Sequence, residues 1–229
     1  MKGHIKIFLK LCLIIIIFFA FISCDGITPP VNDQANEIDN YDTLDQPFPH
    51  QKQEENSWCL HAAGSATLDY HGFDYSQSFL DTKITNEDGY GYGTKLVNLV
   101  NSEIPGYGAK YVYIPLSKIK ELINIHDLPV IVFQRNNSSD DPKKPGHARV
   151  VIGYSEDHVK VSDPADGKEH NIDEDEFLSL SIFGGNTNPN QTLSIVIYPN
   201  DLSLELPPSA YKGDEERDCF NVNSEPIIN

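Results

Sequence analysis

Apolar residues recur along this chain in three rhythms, and each predicts a different kind of element. Leu11 to Ile22 is an unbroken apolar run of 12 residues behind Lys2, Lys6 and Lys10. It is too short to span a bilayer stably and has the basic-then-apolar layout of a secretory signal. A second rhythm has helical spacing. The alanine-rich stretch after Cys59 is predicted to form a helix, with Ser57 as N-cap and Gly72 just past its end. Further helices are predicted at Thr94 to Ser102, Leu116 to Ile125 and Glu174 to Ser181. The third rhythm is alternation, which predicts strands at Lys110 to Ile114, Pro129 to Gln134, His147 to Gly153, His158 to Asp163 and Leu193 to Tyr198. Helices come first and an antiparallel set second, so the expected class is α+β, with the Cys59 helix packed on the sheet. No internal repeat is visible.

Breaks in the pattern divide the chain. Ser23-Cys24 closes the apolar run as a bacterial lipobox does, which makes residues 1–23 a lipoprotein signal and Cys24 the lipidated mature N-terminus; an ordinary signal peptide or an uncleaved anchor is the alternative. Residues 24–48 carry six acids, no Lys or Arg, and Pro29-Pro30. Such a segment is too polar to offset its ordering entropy and is expected to be a flexible tether. Residues 49–199 suit one domain with a single core. Residues 200–229 read as an irregular tail.

The full chain has a formal charge of −17, and loss of the signal removes three lysines and no acids, leaving 14 basic against 34 acidic side chains, or −20. Such a surface repels phosphate backbones, so nucleic acid is not expected as a partner. Of the four cysteines, Cys12 leaves with the signal and Cys24 would carry lipid. Cys59 and Cys219 then make neither a disulfide framework nor a zinc set. His61 and His71 lie on the first predicted helix without Cys or Glu partners at metal spacing, so no metal is expected. Gly89-Tyr90-Gly91-Tyr92-Gly93 reads as a flexible loop, since no Lys-Ser/Thr follows to make it a phosphate cradle.

One set of residues fits nucleophilic catalysis. Cys59 sits in the first turn of its predicted helix, where the positive end of the helix lowers a thiol pKa. Gln53, six residues earlier, carries an amide that can join the Cys59 N–H as an oxyanion donor; Gln51, eight earlier, competes for that role. His147 opens a strand, and a hairpin turning at residues 153–157 returns Asp163 to the same end, where it can fix the imidazole tautomer. Taken singly, these read as a buried cysteine, a surface glutamine, a strand histidine and an Asp-Pro turn. Together they supply nucleophile, oxyanion donor, base and orienting carboxylate.

Several segments around these residues carry a family resemblance. They are the Gln53-to-Cys59 spacing, Trp58-Cys59, Pro129-Val130-Ile131-Val132, Gly146-His147, Val150 to Tyr154, Val161-Ser162-Asp163-Pro164 and Glu176-Phe177. In that order they resemble the bacterial papain-like peptidases of the bacteriocin-processing (double-glycine) type, especially the stand-alone members, over Phe48 to Ile182. The resemblance implies a papain-like fold and cofactor-free thiol peptidase activity. It also implies catalytic roles for Cys59, His147 and Asp163. Two positions depart from the family pattern: Cys59-Leu60-His61-Ala62 after the nucleophile, and Arg149 in place of an apolar residue on the histidine's strand face. The chain carries no transporter portion, so the leader-cleaving role of full exporters does not carry over.

The reading is a monomeric cysteine peptidase acting on peptide substrates, held at the cell surface or in the periplasm through lipid on Cys24. The alternatives are an inactive papain-like binding or adhesion lipoprotein, and a thiol acyltransferase working through the same residues.

Overall fold

A computed structural model describes residues 41–87, 89–136, 146–181 and 188–210. The expected signal segment, Cys24 and Cys219 lie outside these residues. In chain order the elements are β1 (Asp42–Thr43), α1 (Cys59–Tyr70), α2 (Gln77–Ile84), α3 (Gly93–Glu103), β2 (Tyr107–Ile114), α4 (Leu116–His126), β3 (Val130–Gln134), β4 (His147–Tyr154), β5 (His158–Asp163), β6 (Lys168–Asp173), α5 (Glu174–Leu180) and β7 (Thr192–Pro199). The α+β class expected from the sequence is the class observed.

Helix α1 is buried from Cys59 through Leu68. A helix covered on every side needs small residues where neighbours press in, and the run Ala62-Ala63-Gly64 supplies them. A Cβ on Gly64 would lie 3.2 Å from a Leu96 methyl of α3. Gly72 ends the helix at φ +85°, as a C′ glycine does. The expected N-cap is displaced: Trp58 occupies that position without a side-chain cap, and Ser57 Oγ instead donates to the Gly89 carbonyl at 2.8 Å.

The sheet is antiparallel throughout, in the order β2-β7-β3-β4-β5-β6, with β1 alongside the far end of β4. The strands β3, β4 and β7 are almost wholly buried. They carry Val130, Ile131, Val132, Val150, Val151, Ile195 and Val196 into a core closed by α1, α3 and α4. Strand β6 is exposed along nearly its whole length and forms one edge of the sheet.

Two expected boundaries shift. Residues 42–48 belong to the domain rather than to a tether: Leu44 N donates to Ile152 O, and Leu44 and Phe48 are both buried. At the other end, Leu202, Leu204 and Leu206 pack on the core, and Ala210 N donates to Tyr111 O of β2 at 2.7 Å. The residues after 199 thus have no regular secondary structure as far as 210, yet they are docked.

Candidate active site

The register of the β4–β5 hairpin decides where the functional side chains point. Near the turn, Tyr154 pairs with Val159 and Gly153 with Lys160; beyond Ile152 the pairing shifts, and Val151 faces Val161 and Val150 faces Ser162. Continued without the shift, the first register would set Asp163 opposite Val150, on the face away from His147. The bulge at Ile152 moves the pairing by one residue, so the ladder runs on to set Asp163 opposite Arg149. Directly opposed residues share a face, and Arg149 shares its face with His147. One inserted residue therefore brings the carboxylate to the histidine.

The contacts follow from that register. His147 Nε2 lies 2.5 Å from Asp163 Oδ1, and the Cys59 thiol is within hydrogen-bonding and charge reach of His147. Asp163 Oδ1 also accepts from Ala165 N at 2.8 Å, and Oδ2 accepts from Arg149 Nε at 2.8 Å. Cys59, His147 and Arg149 are each under a tenth exposed. At the start of α1 no side-chain cap takes the first-turn N–H groups, and the Leu60 N–H hydrogen-bonds the Cys59 thiol.

Burial alone would push the Cys59 thiol up. The hydrogen bond and charge of His147, joined by the N–H groups of Ala148 and Leu60, outweigh it and hold the thiol below its ordinary value. For His147, burial works against the imidazolium, but hydrogen bonds to Asp163 and Cys59 raise its pKa to about 9, with Arg149 opposing. Burial likewise works against the Asp163 carboxylate. The His147 hydrogen bond and charge, the Arg149 cation and the Ala165 N–H overcome it and hold the carboxyl well below the usual range. The consequences for stability have opposite signs. The contribution of His147 is complete below about pH 6.5 and is lost as pH rises through about 9. That of Asp163 is complete above about pH 4 and is lost as pH falls through its lower folded value.

Gln53 is placed differently from the other three. Its Nε2 donates to Glu55 O at 2.9 Å and to Asn56 O at 2.8 Å, folding the loop that leads into Cys59, and its N–H donates to Pro164 O at 2.8 Å. The competing Gln51 uses its amide oxygen toward Gln77 of α2. Sequence reasoning missed the clamp around this loop. The buried amide of Gln77 accepts from Glu54 N at 3.0 Å and donates to Lys52 O at 2.8 Å. Gly167, at φ +73°, lets the turn after Asp163 press so close that a Cβ there would meet Lys52 N at 2.8 Å. The strand of the carboxylate and the loop of the thiol are thereby fastened together. Asp166-Gly167 was a visible turn signal; nothing in the sequence pointed to Gln77 except the capping serine before it.

The remaining candidates have structural partners. His61 Nε2 lies 2.7 Å from Thr85 Oγ1, and burial holds His61 and His71 near pKa 4, hence neutral. Among the described residues no cluster of His, Cys, Asp or Glu is arranged to hold a metal. Gly91 and Gly93 are small because His61 and Tyr111 press against them, at 3.1 and 3.0 Å from the Cβ each lacks.

Known proteins resemble this chain in fold and in family. A C39-like peptidase assignment from Bacillus anthracis marks one similar crystal structure, with TM-score 0.53 and 15% identity over 69% of this chain and 98% of that one. The peptidase domain of Streptococcus ComA, a bifunctional ABC transporter, matches at TM-score 0.49 and 19% identity, covering 67% and 100%. A double-glycine-motif protease from an AMS/PCAT transporter, solved with its leader peptide, matches at TM-score 0.49 and 18% identity, covering 67% and 93%. At these identities the first of them speaks for the fold alone. No curated protein matches the chain. The family model "Peptidase_C39 like family", however, matches residues 45–183, a span holding the whole hairpin, the Cys59 helix and the loop before it. The chain therefore belongs to the peptidase C39-like family, with a papain-like α+β fold in which the cysteine helix packs on an antiparallel sheet.

Proposed function

We propose that this protein is a cysteine peptidase, tethered outside the cytoplasm through lipid on Cys24, that hydrolyses peptide bonds with Cys59, His147 and Asp163. The observation that carries the reading is the continuous chain of contacts from the Cys59 thiol through His147 to the Asp163 carboxylate, in a family of peptidases.

The chemistry follows from the charges. His147 takes the thiol proton, giving a thiolate–imidazolium pair that Asp163 stabilises. The sulfur attacks the peptide carbonyl carbon, and the oxyanion is held by the N–H of Cys59 and by Gln53, whose amide exchanges one loop carbonyl for it. The imidazolium gives its proton to the leaving amine, which departs as the C–N bond breaks and leaves a thioester. Water, deprotonated by the neutral imidazole, attacks the thioester; the acid is released and the thiol re-forms. No cofactor enters any step.

A single fractionation experiment tests both parts. Membranes from bacteria expressing the full chain should cleave a mixture of peptides, and rapid acid quenching should show acyl adducts on Cys59 by mass spectrometry. Cys24→Ser should move that activity into the soluble fraction or leave the precursor unprocessed. Purified, folded protein that yields neither cleavage nor adduct would leave a binding lipoprotein instead. Activity that is soluble in both forms would remove the tether.

A further inference from the structure

Arg149 is a long cation, 7% exposed, on a strand whose other residues are almost all apolar. Burying a guanidinium costs several kcal/mol unless its donors are filled, and an apolar residue at such a site is often as stabilising. Packing alone therefore gives no reason for an arginine here. Its donors are filled from one side by the site and from the other by the scaffold. Nε reaches Asp163 Oδ2 at 2.8 Å. Nη1 reaches Gln134 Oε1 at 3.3 Å and Arg135 O at 3.2 Å, and Nη2 reaches Asn136 O at 3.4 Å. Gln134 is fully buried and donates in turn to Phe177 O and Ser181 Oγ of the α5 region, at 3.0 and 3.2 Å; Ser181 meets Thr192 of β7.

Building on the triad reading above, we propose that Arg149 is a positioning residue that seats Asp163 and, through it, orients His147. With Oδ1 taken by His147 and Ala165 N, and Oδ2 by Arg149, the carboxylate cannot rotate away from the imidazole. Because Arg149 is a permanent cation, Asp163 stays ionised even in the half of the cycle when His147 is neutral. The four charges alternate along the line: thiolate, imidazolium, carboxylate, guanidinium. The ionisable groups acting on His147 are Cys59 from α1, Asp163 from β5 and Arg149 from its own strand, and β3 offers it only the neutral Gln134. Arg149 opposes the imidazolium and so makes it a better donor to the leaving amine.

The test compares Arg149→Met and Arg149→Lys with wild type, alone and with Asp163→Ala. It reads kcat, KM, thermal stability and the pH profile of Cys59 alkylation. Arg149→Met should lower kcat about 10- to 100-fold with KM within about twofold, the scale seen when a residue that orients a functional histidine is lost. It should also move the basic limb of the alkylation profile to higher pH, since the opposing cation is gone. Arg149→Lys should keep that limb near wild type while recovering only part of kcat, because an ammonium supplies the charge but not the planar fork. If Arg149→Met fails to fold, the lysine variant carries the test through its split between limb and kcat. Adding Arg149→Met to Asp163→Ala should cost no further activity. A folded Arg149→Met with wild-type kcat and an unmoved limb, or losses that multiply in the double variant, would overturn the inference while leaving the triad standing. A wild-type Cys59 that alkylates like a model thiol would instead overturn the triad and this inference with it.

Discussion

Cys59→Ala should remove peptide hydrolysis almost entirely, by about 10⁴- to 10⁶-fold in kcat, the scale on which single nucleophile deletions act in triad enzymes. The fold should survive. Position 59 is in the first turn of a helix already rich in alanine, and alanine is the best helix former. The loss is one buried sulfur, so thermal unfolding should move by only a few degrees. A second readout separates chemistry from damage. The thiol hydrogen-bonds His147 and helps hold its pKa near 9, so the imidazole should titrate at lower pH in the variant, visible by NMR. A folded Cys59→Ala that still hydrolyses peptides would place the nucleophile elsewhere.

Asp163→Ala should lower kcat/KM by about 10²- to 10³-fold. Loss of the orienting carboxylate costs up to about 10⁴-fold in serine enzymes, and a cysteine depends less on its base because sulfur is the stronger nucleophile. The structure adds a cost, since Arg149 would be left buried without its carboxylate, and breaking a buried pair from one side costs about 3–5 kcal/mol. The alanine variant should therefore be both slow and distinctly less stable to urea. Asp163→Asn keeps an acceptor oxygen and should be milder on both counts. Full activity in the alanine variant would reduce Asp163 to a turn residue and require another acceptor for His147.

The parts of this site that were legible in the sequence are those whose burial writes a period into the chain. The alanine-rich helix after Cys59 and the alternating runs of β3, β4, β5 and β7 all bury a face or two, so their positions could be read. β6 could not, because an exposed edge strand has no reason to alternate: Lys168-Glu169-His170-Asn171 is polar on both faces. α2 offers only Phe79, Leu80 and Ile84 as apolar positions, and its role in clamping the Cys59 loop rests on Gln77, which no spacing rule flags. Leu44 and Phe48 were hidden in an acid-rich stretch, and the alternating Leu202, Leu204 and Leu206 in a tail without other strand signals.

The hairpin shows a subtler limit. Counting residues from the turn placed His147 and Asp163 at the same end, but only the bulge at Ile152 places them on the same face. A bulge is a matter of one hydrogen-bond pair, and the sequence around it, Val151-Ile152-Gly153, looks like any buried strand. Arg149 was visible as a charge out of place; its partner was not, because the same one-residue shift decides what it faces. The amide of Gln53 is turned into its own loop, a local choice between carbonyl partners that spacing does not encode.

The most direct measurement of the central claim is the rate of Cys59 alkylation by iodoacetamide between pH 4 and pH 10, followed by peptide mapping in wild type and His147→Ala. An activated thiolate paired with an imidazolium should alkylate along a profile whose acid limb lies well below the free-thiol value of about 8.5 and whose upper limb lies near the His147 pKa of about 9. His147→Ala should erase the acid limb and slow the reaction near pH 6. A folded, reduced wild-type protein whose Cys59 reacts no faster than a model thiol across this range, with a profile that His147→Ala leaves unchanged, would contradict the account.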